Sequence, residues 1–305
     1  MKKMLYLTII LIGIPALTVS LIKPKELENN KYYTLEKNIL VRVKRVNKNI
    51  IETIPIEKYL IGVLSGEMPV SYDIEALKAQ TVAARTYTLK KMETNKSNQF
   101  DLVDTTDDQV YLDEQYLKEI WKNKYEEYTK KIKQAVKETA GEYLTYDGKI
   151  IKAFFFSTSS GMTENCTDVF GENLPYLVSV SSTWDENSPS YLDYREFTKE
   201  EFYNKLNLPY QEKLDMEINR NDTNSISTIN INGNILKGTE FRYELSLKST
   251  NIDIKEESDK VIITSRGFGH GVGLSQYGAQ EMALKGYKYD EILKHYYQGI
   301  EFKKI

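Results

Sequence analysis

At 305 residues, 41% apolar and 28% charged, the chain has the length and composition of one large or two moderate globular domains. Its formal charge of -3, with basic residues spread among acidic ones, gives no reason to expect a nucleic-acid partner, which needs a concentrated excess of Lys and Arg. A single cysteine, Cys166, excludes an intramolecular disulfide, and with only two histidines, His270 and His295, a four-ligand His/Cys zinc site within one chain is excluded too.

Lys2 and Lys3 precede residues 4–22, a run of nineteen without a charge that is long enough to span a bilayer as a helix. Lysines before the span and the bulk of the chain after it place residues 1–3 in the cytoplasm and the rest outside, as a single-pass membrane protein. A cleaved signal peptide is the rival reading, although Val19 interrupts the small residues a cleavage site needs. Residues 23–38 read as a polar tether, leaving 39–305 as the extracytoplasmic domain.

From residue 39, ILVRVKRV alternates as a strand, NKNI turns, and a second strand runs into Thr53. Ile56, Tyr59, Leu60, Val63 and Leu64 then form one helical stripe behind Pro55, and Pro69 forces that helix to stop beside Glu67. Asp73 is an N-cap for a second helix on which Lys78 and Arg85 point the same way. Glu67, at the break between the two helices, fits either a solvated turn glutamate or a desolvated carboxyl usable as a general acid.

Asp104, Asp107 and Asp108 in DLVDTTDDQVY suit a hard cation or plain solvation. Residues 112–139 predict one long helix with Tyr116, Ile120, Trp121, Tyr125, Tyr128, Ile132 and Val136 at helical spacing. EYLTYDGKIIKAFFF predicts a hairpin turning at Asp147-Gly148 and delivering Ser157, Thr158, Ser159 and Ser160 to a loop, where hydroxyls bond sugars or cap the next segment. The 23 tyrosines overall suit sugars, cores or interfaces alike. Residues 185–260 read as β-rich, with an Asn232-Gly233 turn and no evident chemistry. Strand VIITS, the loop RGFGHGVGLSQYGAQ and two helices close the chain; Val272 breaks the dinucleotide glycine pattern, and His270 fits a structural role or one at substrate or Glu67.

YLIGVLSGEMP followed by EALKAQTVAARTYTL, then FFSTSSGMTEN, then GFGHGVGLSQYGAQEMALKGYKYDEILKHYYQG together resemble three ordered motifs of the stage II sporulation protein D family, covering roughly residues 39–300. The resemblance implies a lytic transglycosylase that cleaves peptidoglycan glycan strands, preferably stripped of peptides, while one cell engulfs its forespore. It implies Glu67 as the catalytic acid and base, with Lys78, Arg85, Gln109, Tyr111, Ser157, Thr158, Ser159, Tyr176, His270, Ser275, Gln276 and Tyr277 as substrate-binding candidates; Gln109, Val110 and Tyr111 match its short QVY motif and fit a cleft lining or a strand edge, and Tyr176 after Pro175 is the candidate aromatic wall of the cleft. On that reading, removing Arg85 should damage activity more than folding. The implied partners are stage II sporulation proteins M and P, in the membrane facing the space between mother cell and forespore.

Three departures from the family pattern stand out. Asp104, Asp107 and Asp108 occupy the region where some relatives carry a zinc-binding His and cysteines, so the resemblance implies no cofactor here; Phe156 replaces a His, and Ser160 a Gly. The expected architecture is α+β: a two-lobed domain with a central helix pair, a long helix and β-rich segments around a cleft, after a transmembrane helix. The competing class is a non-catalytic glycan-binding or assembly module tethering membrane to wall, and a zinc amidase lacks its ligands.

Overall fold

The computed structural model describes residues 39–305. The expected anchor at 4–22, the tether at 23–38 and residues 1–3 lie outside the described residues, among which no helix is long and apolar enough to cross a membrane.

Strands β1 (Leu40–Arg45) and β2 (Ile50–Pro55) pair antiparallel, from Leu40 opposite Pro55 to Arg45 opposite Ile50. Alternation along β1 buries Val41 and Val43. Pro55 opens α1 (Ile56–Glu67), whose five-residue stripe is buried as expected, and Met68 is already extended at φ -133°, ψ 137° ahead of Pro69. The Asp73 side chain accepts from the Glu75 amide and starts α2 (Ile74–Thr94). Its alanines and threonines allow close approach on several sides, and nearly every position from Ala76 to Thr88 is buried.

Strand β3 (Leu102–Val103) joins β1 in parallel. The expected long helix is two helices, α3 (Glu114–Trp121) and α4 (Tyr125–Glu138), separated by a 3-10 turn in which Lys122 is left-handed at φ 49°. One straight helix would bury Tyr116 and Ile120; the break lets α3 bury Leu117 and expose those two, while α4 buries Ile132 and Val136. The hairpin of β4 (Glu142–Tyr146) and β5 (Lys149–Ile150) turns at Asp147-Gly148, both at positive φ.

Next come β6 (Phe155–Phe156), α5 (Cys166–Phe170) and a second unit with its own core. That unit holds β7 (Leu192–Thr198), α6 (Lys199–Lys205), β8 (Met216–Arg220), β9 (Ile226–Ile231), β10 (Asn234–Lys237), α7 (Gly238–Glu244), β11 (Ile252–Glu257) and β12 (Lys260–Arg266). Its sheets, β11-β12-β7 and β10-β9-β8, close over Phe202, Tyr203, Phe241, Ile229 and Val261. The region expected to be β-rich therefore also carries α6 and α7, the first started by a capping box between Thr198 and Glu201.

The chain returns through β13 (Leu274–Ser275), α8 (Gln276–Leu284), α9 (Tyr289–Tyr296) and β14 (Glu301–Lys304). Strand β14 completes a sheet with β4 and β5, and α2 packs against α1, α4, α8, α9 and β4 at the centre of the first core. Each large side chain buried there contributes about 1.5–3 kcal/mol. The architecture is α+β. Parallel pairing of β13 with β6 matters most for the site, because it sets Phe156 beside Ser275 and so Ser157 near Gln276.

Candidate active site

Glu67 is the last residue of α1 and is half-buried at a cleft of about 600 Å³. One α1 face carries Gly62 and Gly66, four residues apart. A Cβ at Gly62 would come within 2.3 Å of the Tyr111 ring, and one at Gly66 within 2.7 Å of the Val110 carbonyl. Their absence lets residues 110–112 lie against the helix, with the Leu112 amide donating to Gly62 O at 3.3 Å. The Val110 amide thereby donates to Glu67 Oε1 at 2.5 Å, and the Gln276 side chain also hydrogen-bonds the carboxyl.

Burial outweighs both of these bonds and pushes the Glu67 carboxyl up to about 7. The helix adds to this, since its C-terminal carbonyls disfavour a negative charge on its last residue. The protonated form is thus within reach near neutrality.

Asp185 holds the frame around it. Wholly buried, it accepts from the Ser159 amide at 2.9 Å, Ser275 Oγ at 2.6 Å and Ser182 Oγ at 2.5 Å, and burial raises it to about 6. These bonds pin the Ser157–Ser160 loop to the start of α8, where Ser275 Oγ accepts from the Gly278 amide and Gln276 is aimed at Glu67. Across the cleft the second unit contributes Arg242 of α7, and Phe154, Phe156, Phe170 and Phe268 supply an apolar lining.

A family model described as stage II sporulation protein matches residues 44–146. Stage II sporulation protein D of Bacillus amyloliquefaciens is 43% identical over 275 residues, spanning 88% of this chain and 80% of that protein. The chain belongs to the stage II sporulation protein D family. The protein of the same name from Bacillus subtilis strain 168 is 41% identical over 272 residues, covering 87% of this chain and 79% of that one. A Bacillus subtilis protein named amidase enhancer is 29% identical over 296 residues, covering 79% of this chain and 39% of its own length.

Of the residues that the family motifs single out, Glu67, Ser157, His270 and Gln276 meet at the cleft. Tyr277 lies beside them, its amide donating to Ser157 O at 3.0 Å and its hydroxyl to Asn187 O at 3.1 Å. His270 packs its ring against Phe154, Phe156 and Phe170, and Nδ1 accepts from the Val272 amide at 3.1 Å. A Phe155 backbone bond engages the ring as well, and burial lowers it to about 4, so it is a neutral, main-chain-anchored wall and makes no bond to Glu67.

The other candidates do structural work. Arg85, expected at substrate, is fully buried; its Nε and Nη2 donate to the two Glu57 oxygens at 2.6 and 2.7 Å and Nη1 to Glu142 O at 3.0 Å. Lys78, expected beside it, instead ties α2 to α4, pairing with Glu75 at 2.9 Å and Glu138 at 2.5 Å. Gln109 is buried between Tyr59, Thr88 and Ala84, and Tyr111 stacks on Tyr59 under Arg45. In this irregular segment the side chains of both residues face the core, while the Val110 amide between them faces Glu67.

Thr158 bridges to Phe268, Ser159 and Ser275 belong to the Asp185 network, and all three are buried. Tyr176, expected as a cleft wall, lies in the first core, where its hydroxyl accepts from the Lys152 amide at 3.1 Å.

The acidic loop is dispersed. Asp104 accepts from Arg45 and the Val46 amide, and Asp108 from Tyr87, the Val103 amide and Lys91, while Asp107 is exposed on the cleft rim. Among the described residues no group of three or more His, Cys, Asp or Glu side chains is placed to hold a metal. The residues that sequence reasoning passed over are Asp185 and Arg242, neither of which carries a local sequence signal of its role; Val110 was singled out with Gln109 and Tyr111, but not for its backbone amide.

Proposed function

We propose that this family member is a membrane-anchored peptidoglycan lytic transglycosylase acting in forespore engulfment, with Glu67 as its single acid and base. The observation that carries the reading is a carboxyl raised to about 7 at a cleft whose other carboxylates are either engaged by donors or out on the rim. Protonated Glu67 gives its proton to the oxygen between N-acetylmuramic acid and N-acetylglucosamine, and the C1–O bond breaks. The resulting carboxylate takes the proton of the C6 hydroxyl as that oxygen bonds to C1. A 1,6-anhydro end forms and Glu67 regains its proton, so no second carboxyl is needed, unlike hydrolysis by paired carboxylates.

Val110 and Gln276 stabilise the carboxylate between the two transfers, and the phenylalanines lining the cleft offer no polar group to hold a water that would compete with the C6 hydroxyl. The amidase enhancer relative is named for a role beside an amidase, which suits work on strands already stripped of peptide. Residues 4–22 would hold the domain at the outer face of the membrane, within reach of the sporulation proteins M and P.

Mass spectrometry of peptide-free glycan strands incubated with the protein tests the reading. Anhydro-ended fragments are expected. Binding of strands without new ends would mean that the chain is a glycan-binding or assembly module.

A further inference from the structure

Arginines in this chain are almost all accounted for by partners. Arg42, Arg45, Arg85, Arg195 and Arg266 each pair with a carboxylate, and both terminal nitrogens of Arg220 donate to backbone carbonyls. Arg242 differs. Its Nε donates to Leu247 O at 3.2 Å, which fixes the guanidinium plane, and among the described residues its terminal nitrogens have no hydrogen-bond partner and no carboxylate within ion-pair reach.

The side chain is half-buried at the cleft that holds Glu67, and burial depresses its pKa with no neighbouring anion acting against it. His270, beside it, is neutral and so adds no second positive charge to the site. A desolvated, unpaired cation is costly to the fold, and it makes a strong charge-assisted, two-pronged bond to any carboxylate that reaches it. Phe268 and Phe156 near it offer no competing acceptor side chain.

We propose that Arg242 is an anion subsite that reads the free lactyl carboxylate of N-acetylmuramic acid in the glycan strand. The inference rests on the transglycosylase reading for its substrate. In a strand without stem peptides the lactyl carboxylate is the sole negative charge, and it belongs to the same sugar whose C6 hydroxyl attacks. A guanidinium on the second unit facing Glu67 on the first would grip the reacting sugar from both sides. A stem peptide converts that carboxylate into a neutral amide and removes the partner.

The test is equilibrium binding of three strands to the full-length protein: peptide-free, peptide-free with every lactyl carboxyl converted to a methylamide, and peptide-bearing. The free-carboxylate strands should bind about 10- to 100-fold more tightly than the methylamides, the range for a hydrogen bond to a charged group. Arg242→Gln should bind those two alike, and Arg242→Lys should keep part of the preference. Equal binding of the first two strands by the unaltered protein, no binding of either, or a preference that survives in Arg242→Gln would overturn the proposal. Tight Arg242-dependent binding of peptide-bearing strands would overturn it too, since the peptide's carboxylates would then be the anion read. Anhydro ends are scored in parallel: their absence with the binding preference intact defeats the transglycosylase reading and leaves the subsite standing.

Discussion

Replacing Glu67 with Gln should lower glycan cleavage by at least about 10²-fold, the low end of what one general acid and base supplies, while making the folded chain more stable at pH 8. The two effects have one cause. A carboxyl raised to about 7 holds its proton more tightly in the folded chain than in the unfolded one. Between the ordinary glutamate value and about 7 the folded state therefore binds more protons, and stability falls as pH rises through that window. The amide of Gln removes that penalty and its oxygen still accepts from the Val110 amide.

Thermal unfolding at pH 4 and pH 8 checks this. The variant should match the parent at pH 4 and exceed it at pH 8, by up to about 3 kcal/mol on the scale of two to three pKa units. Cleavage by the parent should fall as pH rises past about 7, where the acid form is lost. A variant less stable at pH 8 would mean that Glu67 is a structural carboxylate.

Arg85→Met should destabilise the fold by about 3–5 kcal/mol, because it leaves Glu57 buried without its partner. The double variant Arg85→Met with Glu57→Leu should recover much of that loss, since a packed apolar pair is often as stable as a buried ion pair. Urea unfolding measures both. An Arg85→Met protein that unfolds like the parent but no longer binds glycan would restore the substrate role that the motif suggested.

That reversal shows where sequence reading succeeds and where it stops. Short-range physics was legible: the α1 stripe, the stop at Pro69, the Asp73 cap and the hairpin turns at Asp147-Gly148 and Asn232-Gly233 all follow from spacing and turn chemistry within a few residues. The place of Glu67 at a helix end was legible from Pro69, but its residues left a solvated turn glutamate open, and only the family resemblance pointed to a catalytic role. Arg85 was misread because its partner, Glu57, lies on α1 with nothing in the local pattern to mark the pairing.

Gln109 and Tyr111 were found by motif and read as a cleft lining or a strand edge; their side chains turn to the core, and the group between them that reaches Glu67 is a backbone amide, which no side-chain pattern encodes. Arg242 was invisible for a topological reason. Its helix belongs to the second core, and only the packing of the two units brings it to the cleft of Glu67. The long helix failed at Lys122 because periodicity alone does not reveal which of two registers the core will bury.

The measurement that reaches the central claim most directly is digestion of peptide-free strands in water enriched in heavy oxygen, followed by mass spectrometry of the new ends. A single-carboxyl transglycosylase leaves 1,6-anhydro ends carrying no label, because the attacking oxygen comes from the sugar. Labelled reducing ends would mean that water attacks, that a second carboxylate takes part, and that the one-acid account of Glu67 is wrong.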